Sequence, residues 1–309
     1  MQLTFRTISV SIVFVLLNSI FAHSQTYSLV LHITNQPDNP VVLGWVSGDD
    51  FHKIDSAKVF NNTVKFSFPE NSHPGVYRLV FGKTGYARVM DEDPQTLDFI
   101  FNNENIELQT DFKKPFETLK VINSGENQAY FEFIKRQNEY QKALSFMEKE
   151  LDQFWNKKDT AGAAQLANEF NQLQMEWDLR TVQTAQQNNS KFASKLISMQ
   201  RQALKDGFLL PEERKEVYKN DFFKPLDFSD EDLIYSTAYT DKIFDFLVLY
   251  NDPTFTREQR LAAYTKAVDQ VLEKTAKNQQ VSEFIKNYLI HGFEVLEMKE
   301  LVQHIKKHN

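Results

Sequence analysis

The spacing of apolar residues changes once along this chain, near residue 124, and the change divides it into two parts. From Tyr27 to Ile122 apolar and polar positions alternate with a period of two, the pattern of strands that bury one face. Leu29, Leu31 and Ile33 alternate with Val30, His32 and Thr34, and Val64, Phe66 and Phe68 alternate with Lys65 and Ser67. Turn-forming residues separate the runs at 35–40, Gly48-Asp49-Asp50, Asn61-Asn62, 71–75 and Asn102-Asn103. Strands are predicted near 27–34, 41–47, 53–59, 63–68, 75–81, 95–101, 105–110 and 118–122. Short strands at this spacing predict an antiparallel β-sandwich of the immunoglobulin or transthyretin kind over 25–123.

Beyond Ser124-Gly125 the period becomes helical, which makes 124–309 an all-α domain and the whole chain α+β. Tyr140, Leu144, Met147, Leu151 and Phe154 recur at steps of three and four. After the Asp159-Thr160-Ala161-Gly162 turn, Leu166, Phe170, Leu173 and Trp177 continue the stripe. Two such stripes joined by a short polar turn predict a helical hairpin, extended by Phe192, Leu196, Met199 and Ala203 to span about 126–206. Further helices are predicted over about 211–220, 230–250, 256–278 and 281–308. Pro211 suits a first helical position with Glu212 and Glu213 behind it, and Thr256 with Gln259 forms a capping box. In the closing stretch Val281, Phe284, Ile285, Tyr288, Leu289, Phe293 and Leu296 share one face, and Leu301, Val302 and Ile305 belong to a second, shorter helix beginning near Met298.

The first residues change the picture of location. Arg6, the apolar run Ile8–Ala22 and the small-residue pattern Ala22-His23-Ser24 read as an export signal over 1–24, with the mature chain beginning near Gln25. The run is shorter than the ~20 residues a bilayer-spanning helix needs, so a soluble periplasmic or extracellular protein is expected. With no cysteine among 309 residues, the chain has no disulfide, no thiol nucleophile and no lipoprotein attachment point. A formal charge of −7 argues against a nucleic-acid partner, which needs a basic face.

Candidate chemistry is sparse. No G-x-S-x-G elbow and no glycine-rich phosphate loop is present, and glycine is rare at nine residues, so no catalytic residue and no cofactor is assigned and a non-enzyme is expected. His304 and His308 stand four apart on a predicted helix, which puts both imidazoles on one face. Two histidines make no metal site alone, and metal binding there depends on a third ligand from elsewhere in the fold. A carbohydrate-binding or carboxylate-based hydrolase reading would use Trp45 and Tyr86 as a sugar platform beside Asp91, Glu92 and Asp93. It requires those groups to meet in one concave pocket.

Several phrases carry a resemblance. Ile54-Asp55-Ser56-Ala57-Lys58-Val59, Val64-Lys65-Phe66-Ser67-Phe68, Tyr77-Arg78-Leu79, Leu97-Asp98-Phe99-Ile100-Phe101 and Val121-Ile122-Asn123-Ser124-Gly125-Glu126-Asn127 resemble an uncharacterised β-rich domain of exported Bacteroidota proteins. That domain usually precedes a thioredoxin-like domain of the TlpA or AhpC/TSA type. Tyr288-Leu289-Ile290-His291-Gly292-Phe293-Glu294 is similar to the spacer in front of the redox domain. The resemblance implies the accessory front of a thiol-disulfide protein without its redox domain, either a stand-alone form or a truncated one. It also implies binding or scaffolding among envelope proteins, a separate thioredoxin-like protein among the expected partners.

Overall fold

The computed structural model describes residues 26–308, so the export signal expected over 1–24 lies outside the described residues. Among the described residues no helix is long and apolar enough to cross a membrane. The first part holds strands β1 (Ser28–Thr34), β2 (Val41–Ser47), β3 (Asp50–Ala57), β4 (Thr63–Ser67), β5 (Gly75–Gly82), β6 (Gln95–Phe101), β7 (Ile106–Asp111) and β8 (Lys120–Asn123). They form two four-stranded sheets, ordered β4-β1-β7-β8 and β3-β2-β5-β6. Inward-facing Leu29, Leu31, Leu43, Leu79, Phe99 and Leu108 come from both sheets and close one apolar core. Each such side chain contributes about 1.5–3 kcal/mol by leaving water.

Two features depart from the sequence expectation. The sheets are not wholly antiparallel, because β1 pairs with β7 in parallel, Leu29 opposite Ile106 and Ile33 opposite Thr110. Alternation reports which face a residue occupies and is blind to strand direction. Between β5 and β6 stands an unpredicted short helix, α1 (Gly85–Met90), capped by the Thr84 hydroxyl at one end and by left-handed Asp91 at the other. Six residues are too few to show a helical period.

The second part holds α2 (Gly125–Asn156) and α3 (Thr160–Gln187), then α4 (Phe192–Ser198), α5 (Pro211–Asp221), a 3-10 turn (Glu231–Tyr235), α6 (Ala238–Val248), α7 (Arg257–Thr275), α8 (Gln279–Val295) and α9 (Lys299–Lys307). The α2–α3 hairpin buries Leu144, Leu151, Ala163 and Phe170 along its seam. Pro211 opens α5, and the Thr256–Gln259 capping box is formed at the start of α7.

The expected continuation of the hairpin region to 206 is corrected, since helix stops at Ser198. The buried amide of Gln174 offers the next segment a better set of partners, accepting from the Lys205 amide at 2.8 Å and donating to its carbonyl at 2.9 Å. Asn171 and Trp155 bond the Gly207 amide and carbonyl in the same way. A Cβ on Gly207 would lie 2.9 Å from the Ala167 Cα, so only glycine lets this strap lie against α3. The helix expected over 230–250 is likewise two pieces. Ser236 takes an extended conformation between them, and its carbonyl accepts from the Gly48 amide of the β2–β3 turn at 3.0 Å. The closing 281–308 segment breaks at left-handed Glu297, and the second, shorter helix expected from near Met298 follows, with Met298 at its N-cap position without a side-chain bond.

The two parts share an interface. Val46, Val76 and Ile100 of the second sheet belong to the core of the helical part. The sequence phrase 123–127 forms the joint. Ser124 caps α2, and the carboxylate of Glu104 accepts from the Ser124 hydroxyl and from the amides of Gly125 at 3.0 Å and Glu126 at 3.2 Å. The fully buried Asn127 side chain pairs both ways with the backbone of Ile100 on β6, at 2.8 and 2.7 Å. Glu126, buried in turn, accepts from the Phe192 and Ala193 amides at 3.0 and 2.7 Å, capping an α4 whose own N-cap residue, Lys191, offers no side-chain bond.

Candidate functional site

The structure separates the residues of the sugar-platform reading. Trp45 lies at the seam of the two parts, stacked on His52 at 3.8 Å and meeting His73 and Tyr235 edge-on at 4.8 and 5.8 Å. It faces Tyr77, near the start of β5, whereas Tyr86 stands on α1 beyond the far end of that strand. Five residues of strand, roughly 17 Å of backbone, run from Tyr77 to the end of β5 at Gly82. Tyr86, Asp91, Glu92 and Asp93 are all solvent-exposed. Asp91 ends α1 and pairs with Lys83 at 2.9 Å, a local structural role. No aromatic platform beside converging carboxylates is assembled from these residues.

The seam around Trp45 has an acid-sensitive member. His73 stacks on Tyr235 at 3.7 Å, its Nδ1 lies 3.2 Å from the Pro74 carbonyl, and its Nε2 is buried without a partner. Burial pushes its pKa below the ordinary 6.5, against the pull of the Pro74 bond and with help from His52. In the window between that lowered value and the unfolded value, the unfolded chain takes up a proton that the folded chain refuses. Stability contributed by neutral His73 is therefore present above about pH 6.5 and is lost as pH falls through the folded pKa. Urea midpoints at pH 7.5 and 5.5 check this, and the acid-induced drop is expected to be smaller in His73→Phe than in the wild type.

The His304 and His308 pair finds a third group. Asp269 on α7 reaches both imidazoles, and the three ligating atoms lie within 4.8 Å of one another.

An apolar concavity with exposed walls, about 480 Å³ in volume, lies between α6 and the end of α8. Its lining includes Phe244 and Val248 of α6, Tyr264 of α7, and Val295 and Leu296 at the end of α8, with Asp49 at the rim. Phe244, Val248, Val295 and Leu296 are 60, 50, 70 and 61 % exposed. Leu296, which the helical spacing puts on a buried face, instead sits at the C-cap of α8, past the point where Phe293 enters the core. Asp49 is brought to the rim by Gly48, whose φ of +57° and 2.9 Å clearance from Thr240 Cγ2 demand glycine. The family resemblance gave 288–294 only a spacer role, and periodicity does not report the groove because it is built from helices distant in the chain. Compared with models of protein families, with curated proteins and with solved structures, the chain finds no match.

Proposed function

We propose that this protein is a non-catalytic binding module of the cell envelope, exported by its N-terminal segment, and that the groove between α6 and α8 is its contact surface. The observation that carries the reading is the grouping of Phe244, Val248, Val295 and Leu296, four large apolar side chains left in water around one concavity. Scattered exposed apolar residues are ordinary on any protein, whereas a rimmed apolar groove marks an interaction surface. The partner is a folded envelope protein that offers apolar side chains, and the family resemblance makes a separate thioredoxin-like protein the expected one. Within the same reading the two-sheet unit is a sandwich of the transthyretin kind. Its first two strands lie in different sheets, while immunoglobulin constant domains keep them in one.

The test is affinity capture from an envelope extract with the wild-type chain and with a Phe244→Asp, Leu296→Asp double variant. Both positions are outside the buried core, so the variant is expected to keep its circular-dichroism spectrum and melting temperature. Loss of two central contacts is expected to weaken partner binding by about thirtyfold or more. A wild-type chain recovered only as a free monomer, or an identical partner set with the variant, would defeat the proposal.

A further inference from the structure

A second site is built where α9 lies on α7. The inner face of α9, Leu301, Val302 and Ile305, is buried in the helical core, so the helix is seated firmly on its neighbours. His304 stands on its outer edge and His308 at its C-cap, four residues on, with ring centres separated by 5.1 Å. Asp269 projects from α7 between them. The same carboxylate oxygen, Oδ1, lies 2.6 Å from Nε2 of His304 and 3.1 Å from Nε2 of His308. Two imidazole nitrogens from one helix and a carboxylate from another converge on a single point at the protein surface.

We propose that Asp269, His304 and His308 bind a divalent first-row transition ion, zinc above all, and that the bound ion ties α9 to α7. Two nitrogens and one oxygen form a donor set of borderline softness, which suits zinc, copper or nickel and disfavours the all-oxygen ions calcium and magnesium. Two histidines with one carboxylate is a ligand set that zinc uses, with a fourth position left for water or a partner's side chain. Ligands about 2.0–2.2 Å from a tetrahedral ion stand roughly 3.3 Å apart, so the two carboxylate–imidazole spacings open by less than 1 Å to admit one. Side chains that are 34, 44 and 46 % exposed have the rotamer freedom for that adjustment. The site lies on the last turn of α9, where the carbonyl end of the helix favours positive charge. Coordination replaces the carboxylate–imidazole hydrogen bonds that otherwise join the two helices at this point.

The experiment uses the full chain, freed of metal by chelator and dialysed, and titrated with zinc chloride by calorimetry at pH 7.5. One equivalent is expected to bind, with a rise in melting temperature that equimolar magnesium does not give. Asp269→Asn, His304→Gln and His308→Gln are each expected to weaken binding by about tenfold or more and to abolish the zinc-dependent rise in melting temperature. His32→Gln serves as a control, because that histidine pairs with Glu107 in the β-sheet part. Since the three ligands are half-exposed, each variant is expected to retain the wild-type melting temperature in the absence of metal to within a few degrees. Weak multi-site binding that is equal in the wild type and the three variants would overturn the proposal, as would unchanged affinity in Asp269→Asn.

Discussion

Replacing Glu126 by alanine is expected to destabilise the protein by about 3–5 kcal/mol, the sum of two buried donors and one half-buried donor losing their acceptor. The Phe192 and Ala193 amides and the Asn102 side-chain amide all end on this one carboxylate. The residue is 4 % exposed, so water does not replace what is lost. Glu126→Gln, which keeps one acceptor oxygen but turns an NH2 group toward a donor, is expected to cost about half as much. Equilibrium urea unfolding measures both. Glu126 also joins α4 to the start of α2, and α2 is bonded to β6 through Asn127. The alanine variant is therefore expected to lose the coincidence of fluorescence and circular-dichroism transitions, as the two parts begin to unfold separately. A change below about 1 kcal/mol would mean that the cap on α4 does not hold it.

The second large effect lies at the other end of the hairpin and has opposite signs for the two members of one pair. Arg214 of α5 is buried beneath the α2–α3 hairpin and pairs with Asp152 of α2. Its guanidinium lies 5.8 Å over the Phe170 ring, and its Nη1 has no hydrogen-bond partner. Asp152→Ala leaves a cation in apolar surroundings and is expected to cost about 3 kcal/mol, toward the lower end for a broken buried pair because Asp152 is itself 37 % exposed. Arg214→Met removes the same ion pair but leaves no uncompensated charge, and is expected to be neutral or stabilising by about 1 kcal/mol. The Asp152→Ala, Arg214→Met double variant should then recover most of the loss. If the single variants destabilise equally, the pair stabilises the fold in its own right.

The features legible in the sequence are those written in local spacing. Leu29, Leu31 and Ile33 announce β1 by alternation, Tyr140 to Phe154 announce α2 by steps of three and four, and Thr256 with Gln259 marks the start of α7 to the residue. The parallel β1–β7 pairing, the strap held by Gln174 and the split at Ser236 are set by partners far along the chain, and no local pattern reports them. The same division runs through the sites. His304 and His308 were visible as a pair because one helix carries both, whereas Asp269 stands 35 positions away and becomes a neighbour only through the packing of α7 on α9. Glu126 and Asn127 read as part of a family-like phrase and turn out to be the polar joint between the two parts. Trp45 and Tyr86 read as exposed aromatics; Tyr86 is exposed on α1, whereas Trp45 packs at the seam against His52, His73 and Tyr235.

The parallel pairing of β1 with β7 also bears on the order of folding. Leu29 and Ile106 are 77 positions apart, so one edge of β1 stays without its partner until nearly the whole β part has been synthesised. Closing so long a loop is slow compared with forming the hairpin contacts of β2 with β3. During that interval an apolar strand with a free row of backbone donors and acceptors is open to pairing with another chain. Pairing β1 with β7 thus lengthens the time for which this edge of β1 stands open during folding.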